Sequence, residues 1–393
     1  MDHTFTDLRA AGAAGDGLAD DGAVLQDLLD SGVRHVFIPC GQYKVVRTLR
    51  VPSGTHIKAD PAACVFISGE LPKKRGDFLL TNAHAQIPGE WDTDITLEGG
   101  IWDGCFGQGY NDKNTNLFDP DAASGSCLSF VRVRGLTLDH VTIVNSVVYY
   151  LRLGEVTDFR ITDISFASDR TAYNQDGIHF GGGCRRGLVD GVRVLTTGQT
   201  NDDLIAFNAD DSVERLENRD LICAPIEDVT VRNVYAADCH CIIRLLSAFS
   251  AIRRVRVEHV TAGTRGSAVN VDAARYCRVP ITRDDDYPDG VGELVDVVIS
   301  DFTFWSTRGG SAPMIMAESR PGAGSGLSVD VRRLYDREPE NERPTLRARK
   351  TPGAAVDLSR AGQADEVIRL DTFAKECVAG DADLTHISIV RSV

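Results

Sequence analysis

A short apolar run recurs along this chain with no helical pattern between its copies, and that recurrence restricts the fold more than any single residue does. Aligned by their apolar residues, CLSF (from 127), YYLRL (149), GIHF (177), LIAF (204), CIIRL (241), SAVNV (267), APMIM (312) and AAVDL (354) read as one strand repeated in successive turns. Between them lie longer runs, VRGLTLDHVTI, VTDFRITDISF, RRGLVDGVRVL, IEDVTVRNVYA, IRRVRVEHVTA and LVDVVISDFTF, which alternate apolar with polar residues and carry a small or polar turn in mid-run. Alternation of period two marks strands. Repeated in this way without a crossover helix, it predicts an all-β chain wound as a single-stranded right-handed parallel β-helix, a solenoid. Ile178, Ile205, Ile242, Val269 and Met314 are expected to form one apolar ladder along its core.

A solenoid can run for 393 residues as one unit, so the expected organisation is a single domain, 1–393. Within it, 1–50 form the N-terminal cap and first strands, 51–360 the coils, and 361–393 a C-terminal cap. An open terminal rung exposes apolar core and unpaired backbone, and DDGAVLQDLLDS (20–31) reads as the N-terminal capping helix that covers it. Asp20 or Asp21 would be its N-cap, with Val24, Leu25, Leu28 and Leu29 on one face.

The net charge of −15, with no cluster of Lys or Arg, excludes the basic surface that a nucleic acid or an anionic membrane needs. The N-terminus lacks a basic segment followed by an apolar run, and no later stretch approaches ~18 apolar residues. The expectation is a cytoplasmic protein as written, secreted if a leader was removed. Ten cysteines are scattered without a CxxC pair, the pattern of reduced structural thiols. Cys239 and Cys241 flank His240, but residues i and i+2 of a strand share a face that the middle residue does not, so no metal and no other cofactor is expected.

The acids fall into the same register. If Ile178, Ile205 and Ile242 stack, then Asp176, Asp203 and His240, two positions earlier, occupy equivalent places on consecutive coils about 4.8 Å apart, with Asp202 one residue further into the turn. Carboxylates that close repel one another, and at least one should keep its proton above the free aspartate value. A general acid requires that condition. The second acidic pair, Asp210 and Asp211 in NADDSVERLENRD, has no counterpart in neighbouring coils and reads as a solvated turn.

These residues also carry a resemblance. GDGLADDGAVLQDLL followed by VFIPCGQYKV looks like the opening of pectate-lyase-superfamily β-helices. YNQDGIHF, TNDDLIAF and DCHCIIRL, with LEGGIWDG and VTIVNS before them, resemble polygalacturonase-like glycoside hydrolases of family 28 over residues 95–275. The corresponding motifs of that family are Asn-Thr-Asp, Asp-Asp and Gly-His-Gly. The resemblance implies hydrolysis of a glycosidic bond in an oligosaccharide or polysaccharide, with inversion. It makes Asp202 the general acid, has Asp176 and Asp203 hold and deprotonate the water, and has His240 tune the acid or contact the sugar.

The pattern also departs from the family. Its Arg-x-Lys, which holds the substrate carboxylate, is replaced by Ala268 and Asn270, so the substrate need not be a galacturonide. Arg244 would restore some charge if a bulge turned it outward. His179, Asn270, Arg152 and Glu318 are candidate sugar contacts on outward faces, and Trp102, Tyr110, Tyr149, Tyr150 and Tyr173 are either stacking platforms or core. Two alternatives stay open: a polysaccharide lyase or uronate epimerase on the same scaffold, needing Ca²⁺ or a cationic group and a base, and a non-catalytic carbohydrate-binding β-helix.

Overall fold

The computed structural model describes residues 4–68, 77–105, 127–171, 174–210, 218, 220–247, 249–272, 293–307, 315–317, 327–331, 346–351, 354–357 and 387–391. Its strands form two sheets, one of 18 strands and one of 11. Pairing follows the coil order and is parallel from turn to turn except at Ala354–Asp357, and the chain is a right-handed parallel β-helix. The long runs with polar centres form the larger sheet, and the recurrent short runs form the smaller one. The residues that bend each long run are His140, Asp163, Gly191, Asn233, His259 and Asp301, with φ between 49° and 88°. Register places them one above another on consecutive coils. All six are Asn, Asp, His or Gly, the residues that reach the left-handed region at least cost.

Asp21–Asp30 is the one α-helix among the described residues, and no helix there is long and apolar enough to cross a membrane. Asp20 is the N-cap, accepting from the Ala23 amide at 3.3 Å. Asp21 has a different task. Buried, it accepts from the Ala14 and Gly15 amides at 2.7 and 2.9 Å and ties the preceding loop to the helix. Leu25 and Leu29 are buried, Val24 and Leu28 pack beside them, and the helix lies on strands Gly41–Val45 and Leu49–Val51 as the expected cap.

In the smaller sheet one ladder runs Leu49, Leu80, Leu128, Leu151, Ile178, Ile205, Ile243, Val269, Ile315. From Leu49 to Val269 every side chain in it is 0–1% exposed, and each such burial contributes about 1.5–3 kcal/mol. Ile243, and not Ile242, stands on this ladder. Both isoleucines are buried in the same core, but Ile242 stacks in the adjacent row between Leu204 and Ala268, where the strand begins. Two successive buried isoleucines leave the register open in the sequence, and backbone pairing resolves it. Ile315 takes the next rung by its pairing with Val269, while Met314 lies outside the described residues. The run from 354 is not a further coil: Ala354–Asp357 pairs antiparallel with Leu346–Thr351. Of the segment 361–393, Ile387–Arg391 is described, and it pairs with Leu327–Val331.

Candidate active site

The corrected register moves His240. Asp203 pairs with Cys241, so His240 stands one coil beyond Asp202, at its level, and its Nδ1 lies 3.4 Å from Asp202 Oδ1. Asp176 and Asp203 do occupy equivalent places, because Ile178 pairs with Ile205 and the Gly177 amide donates to the Asp203 carbonyl at 2.9 Å. One oxygen from each of Asp176, Asp202 and Asp203 lies within 4.8 Å of the others. Asp176 and Asp203 are 1% and 2% exposed, whereas the Asp202 side chain keeps 18% of its surface and faces outward.

Charge in this cluster is balanced from two sides. Arg244 Nη1 lies 3.7 Å from Asp203 Oδ2, both side chains being buried. No bulge is needed to turn the arginine outward, since alternation along Cys241–Leu246 already places it between Ala206 and Asn270 on the outer face. Burial pushes the Asp203 carboxyl up to about 8, with Asp202 and Asp176 adding to the rise and Arg244 and His240 opposing it. The contact with Asp202 raises the His240 imidazole above its ordinary value against the effect of burial. Arg244 supplies positive charge beside Asp203, and three carboxyls this close can share a proton. The cysteines beside His240 diverge. Cys239 Sγ donates to the Gly263 carbonyl and Cys241 Sγ to the Ile243 carbonyl, each at 3.3 Å, and burial keeps both thiols protonated.

The turn that carries Asp202 is clamped by Arg265, a residue sequence reasoning did not single out. Its Nη1 reaches the Gly198 carbonyl at 2.9 Å and Asp238 at 3.2 Å, and its Nη2 reaches the Asn201 side chain at 2.8 Å. The His240 amide donates to the Thr200 carbonyl, and the His240 carbonyl accepts from Thr264 Oγ1 at 2.7 Å and the Gly266 amide at 2.8 Å. A β-carbon at position 266 would sit 2.8 Å from that same oxygen, which is a reason for glycine there. A lone arginine in a turn gives no local signal of such a role.

Other candidates are placed differently from expectation. Arg152 and His179 share the outer row with Arg244 and Asn270 but are 2% and 0% exposed, covered by side chains from elsewhere, and do not form an open sugar-binding face. Asn270 remains half-buried on that face. Ala268 turns into the core, so one of the two places compared with the family's basic pair is not on the groove. Trp102, Tyr149 and Tyr150 are core residues. Asp210 is no solvated turn: it is fully buried and accepts from the Phe249 and Ser250 amides at 2.6 and 2.7 Å. Glu318, Asp211, Tyr110 and Tyr173 lie outside the described residues.

No family model matches the chain, and no curated protein does. Solved structures do. A family 28 exopolygalacturonase from Yersinia enterocolitica superposes with a TM-score of 0.55 at 15% identity, covering 88% of this chain and 75% of its own. A family 82 iota-carrageenase from A. fortis gives 0.54 at 13% identity, covering 97% and 94%. An iota-carrageenase complexed with iota-carrageenan fragments gives 0.51 at 14%, covering 78% and 74%. At these identities the likeness establishes the fold. The chain is built like parallel β-helix glycoside hydrolases.

Proposed function

We propose that the protein is a glycoside hydrolase acting on an oligosaccharide or polysaccharide, with the Asp176, Asp202 and Asp203 cluster as its catalytic centre. The observation that carries this reading is one outward-facing carboxyl, Asp202, set within 4.8 Å of two buried ones that raise the cluster's affinity for a proton. Asp202 is the member able to reach a glycosidic oxygen, and it gives that oxygen its proton as the bond to the anomeric carbon breaks. A water held by Asp176 and Asp203 adds to that carbon and loses a proton to the cluster, which restores the proton balance. His240, beside Asp202 and exposed, tunes the acid.

The substrate is proposed to lack a uronate next to the cleavage point. Arg244 is committed to Asp203, Ala268 is in the core, and Asn270 offers hydrogen bonds without charge. Burying a substrate carboxylate beside three acids costs about 3 kcal/mol per contact at ~5 Å with an effective dielectric near 20. The close spacing favours a second stereochemical reading. An inverting pair stands ~6.5–9.5 Å apart to admit water and a retaining pair ~5–5.5 Å; the nearest oxygens of these acids lie within 4.8 Å of one another, which supports retention as the second reading beside the inversion that the family resemblance implies.

A reducing-sugar screen over α- and β-linked oligosaccharides, neutral and uronate-bearing, tests the function, with Asp202→Asn as control. Proton NMR of the first anomer released decides the stereochemistry. Turnover unaffected by Asp202→Asn would sink the assignment.

A further inference from the structure

Asp176 is held from one side by a line of buried polar side chains. His179 Nδ1 lies 2.6 Å from Asp176 Oδ2. The Tyr149 ring stacks on the imidazole with centroids 3.8 Å apart and planes at 22°. The tyrosine hydroxyl accepts from Asn218 Nδ2 at 3.0 Å, and Asn218 Oδ1 accepts from Arg152 Nε at 3.1 Å. Arg152 Nη2 ends the line 2.6 Å from Asp220, and Nη1 donates to Ser129 Oγ at 3.3 Å. The residues involved come from three coils and from the segment after Asp210, so the line fixes the imidazole on several sides at once.

A contact of 2.6 Å between nitrogen and carboxyl oxygen needs a proton in it. Among the described residues, the charged and titratable groups around the pair include Tyr149, Arg152, Asp202, Asp203 and Arg244, with His240 beyond Asp202 and Asp220 beyond Arg152. Arg152 stands next to His179 on the preceding coil and Arg244 two coils after it, so a second positive charge on the imidazole is opposed. A neutral imidazole with its proton on Nδ1, donating to an ionised carboxylate, satisfies both partners. Asp203 is served less well, since Arg244 at 3.7 Å is beyond hydrogen-bond reach.

We infer that His179 is a positioning residue that fixes Asp176 as the ionised carboxylate taking the proton of the attacking water. This deepens the hydrolytic reading and rests on it. In the reaction the water oxygen bonds to the anomeric carbon, one water proton passes to the Asp176 oxygen not held by His179, and Asp202 protonates the leaving oxygen. Burial raises the Asp203 carboxyl, with the neighbouring acids adding to the rise, so Asp203 is the less available base and Asp176 the more available one.

The test uses the full chain labelled with ¹⁵N-histidine, and His179→Asn identifies the His179 resonances by their loss. Long-range proton–nitrogen correlation between pH 5 and 8 should show His179 protonated on Nδ1 and not on Nε2, with the Nδ1 proton far downfield, and Asp176→Asn should move that proton upfield. In kinetics on the best substrate of the screen, His179→Leu should lower kcat ~10²-fold with KM little changed and move the acid limb of kcat/KM about one unit to higher pH. His179→Asn, whose amide nitrogen can stand where Nδ1 does, should stay within about tenfold of wild type and keep the limb in place. A proton on Nε2, or a His179→Leu variant that loses folded protein without moving the limb, overturns the inference. If the wild type cleaves no glycoside, the hydrolytic reading and the base assignment fail together, while the spectrum still decides the His179–Asp176 bond.

Discussion

Replacing Asp210 by alanine separates the two acidic pairs of GQTNDDLIAFNADD by what each loss damages. Asp210 follows the strand Asp203–Asn208, and through Oδ2 it holds the Phe249 and Ser250 amides at 2.6 and 2.7 Å, fastening the turn after the next coil's strand. Hydrogen bonds to a charged group contribute ~1.5–3 kcal/mol each, so the two together are worth about 3–6 kcal/mol at most. Phe249 is half exposed and water can reach part of the released turn, which discounts the loss to about 2–4 kcal/mol. Asp210→Asn keeps an acceptor oxygen but not its charge, and about 1–2 kcal/mol is expected for it. Urea titration followed by circular dichroism reads both as lowered midpoints, alanine more than asparagine. Turnover per folded molecule should stay within about tenfold of wild type, because neither change touches the cluster. Asp202→Asn should do the reverse, removing ~10²-fold or more of the turnover with no fall in midpoint. An Asp210→Ala midpoint equal to wild type would refute the account of the buried acid, and equal loss of turnover in the two folded variants would refute the division between the pairs.

Asp203→Asn should be stabilising at alkaline pH: the folded value of about 8 stands above the ordinary 3.8, so the unfolded chain ionises first and the wild type loses stability as pH rises from the lower value through the higher. The variant has no such loss, and its advantage in stability, small at pH 4, should grow to about 1–3 kcal/mol by pH 9 and be read as a higher melting temperature. Arg244→Met removes the cation 3.7 Å from Asp203, an attraction of at most ~4.5 kcal/mol at an effective dielectric near 20, and should move the alkaline limb of activity upward by about one unit or more. A downward shift would contradict the opposing role given to Arg244. Arg265→Met strips the clamp from Gly198, Asn201 and Asp238 and should cost ~3–5 kcal/mol, because the buried Asp238 loses its cation. Adding Asp238→Asn should restore much of the stability but not the rate, read by a melting curve beside hydrogen exchange at 198–201; full recovery of rate would show that the clamp does not position Asp202.

The solenoid, its helical cap and the alignment of Asp176 with Asp203 were legible in the residues alone, because each follows from local periodicity. Short runs repeated without a crossover helix have few ways to bury their apolar faces, and a residue's parity along a strand assigns its face. Where two neighbouring residues were equally apolar, parity failed. Ile242 and Ile243 are both buried, and only the hydrogen-bonded pairing with Ile205 shows which carries the ladder and hence that His240 belongs beside Asp202. The tertiary structure also decided burial on the outer face. Parity correctly turned Arg152 and His179 away from the core, but whether such a side chain meets solvent depends on what folds over it, and Asn218 arrives from 66 residues beyond Arg152. Asp210 is the same case in reverse: a polar loop in the sequence, buried because the Phe249 and Ser250 amides of the next coil close on it. Facing is set by the alternation of one strand, whereas covering is set by chain remote from it, and that is why the cluster's members were legible and their supports were not.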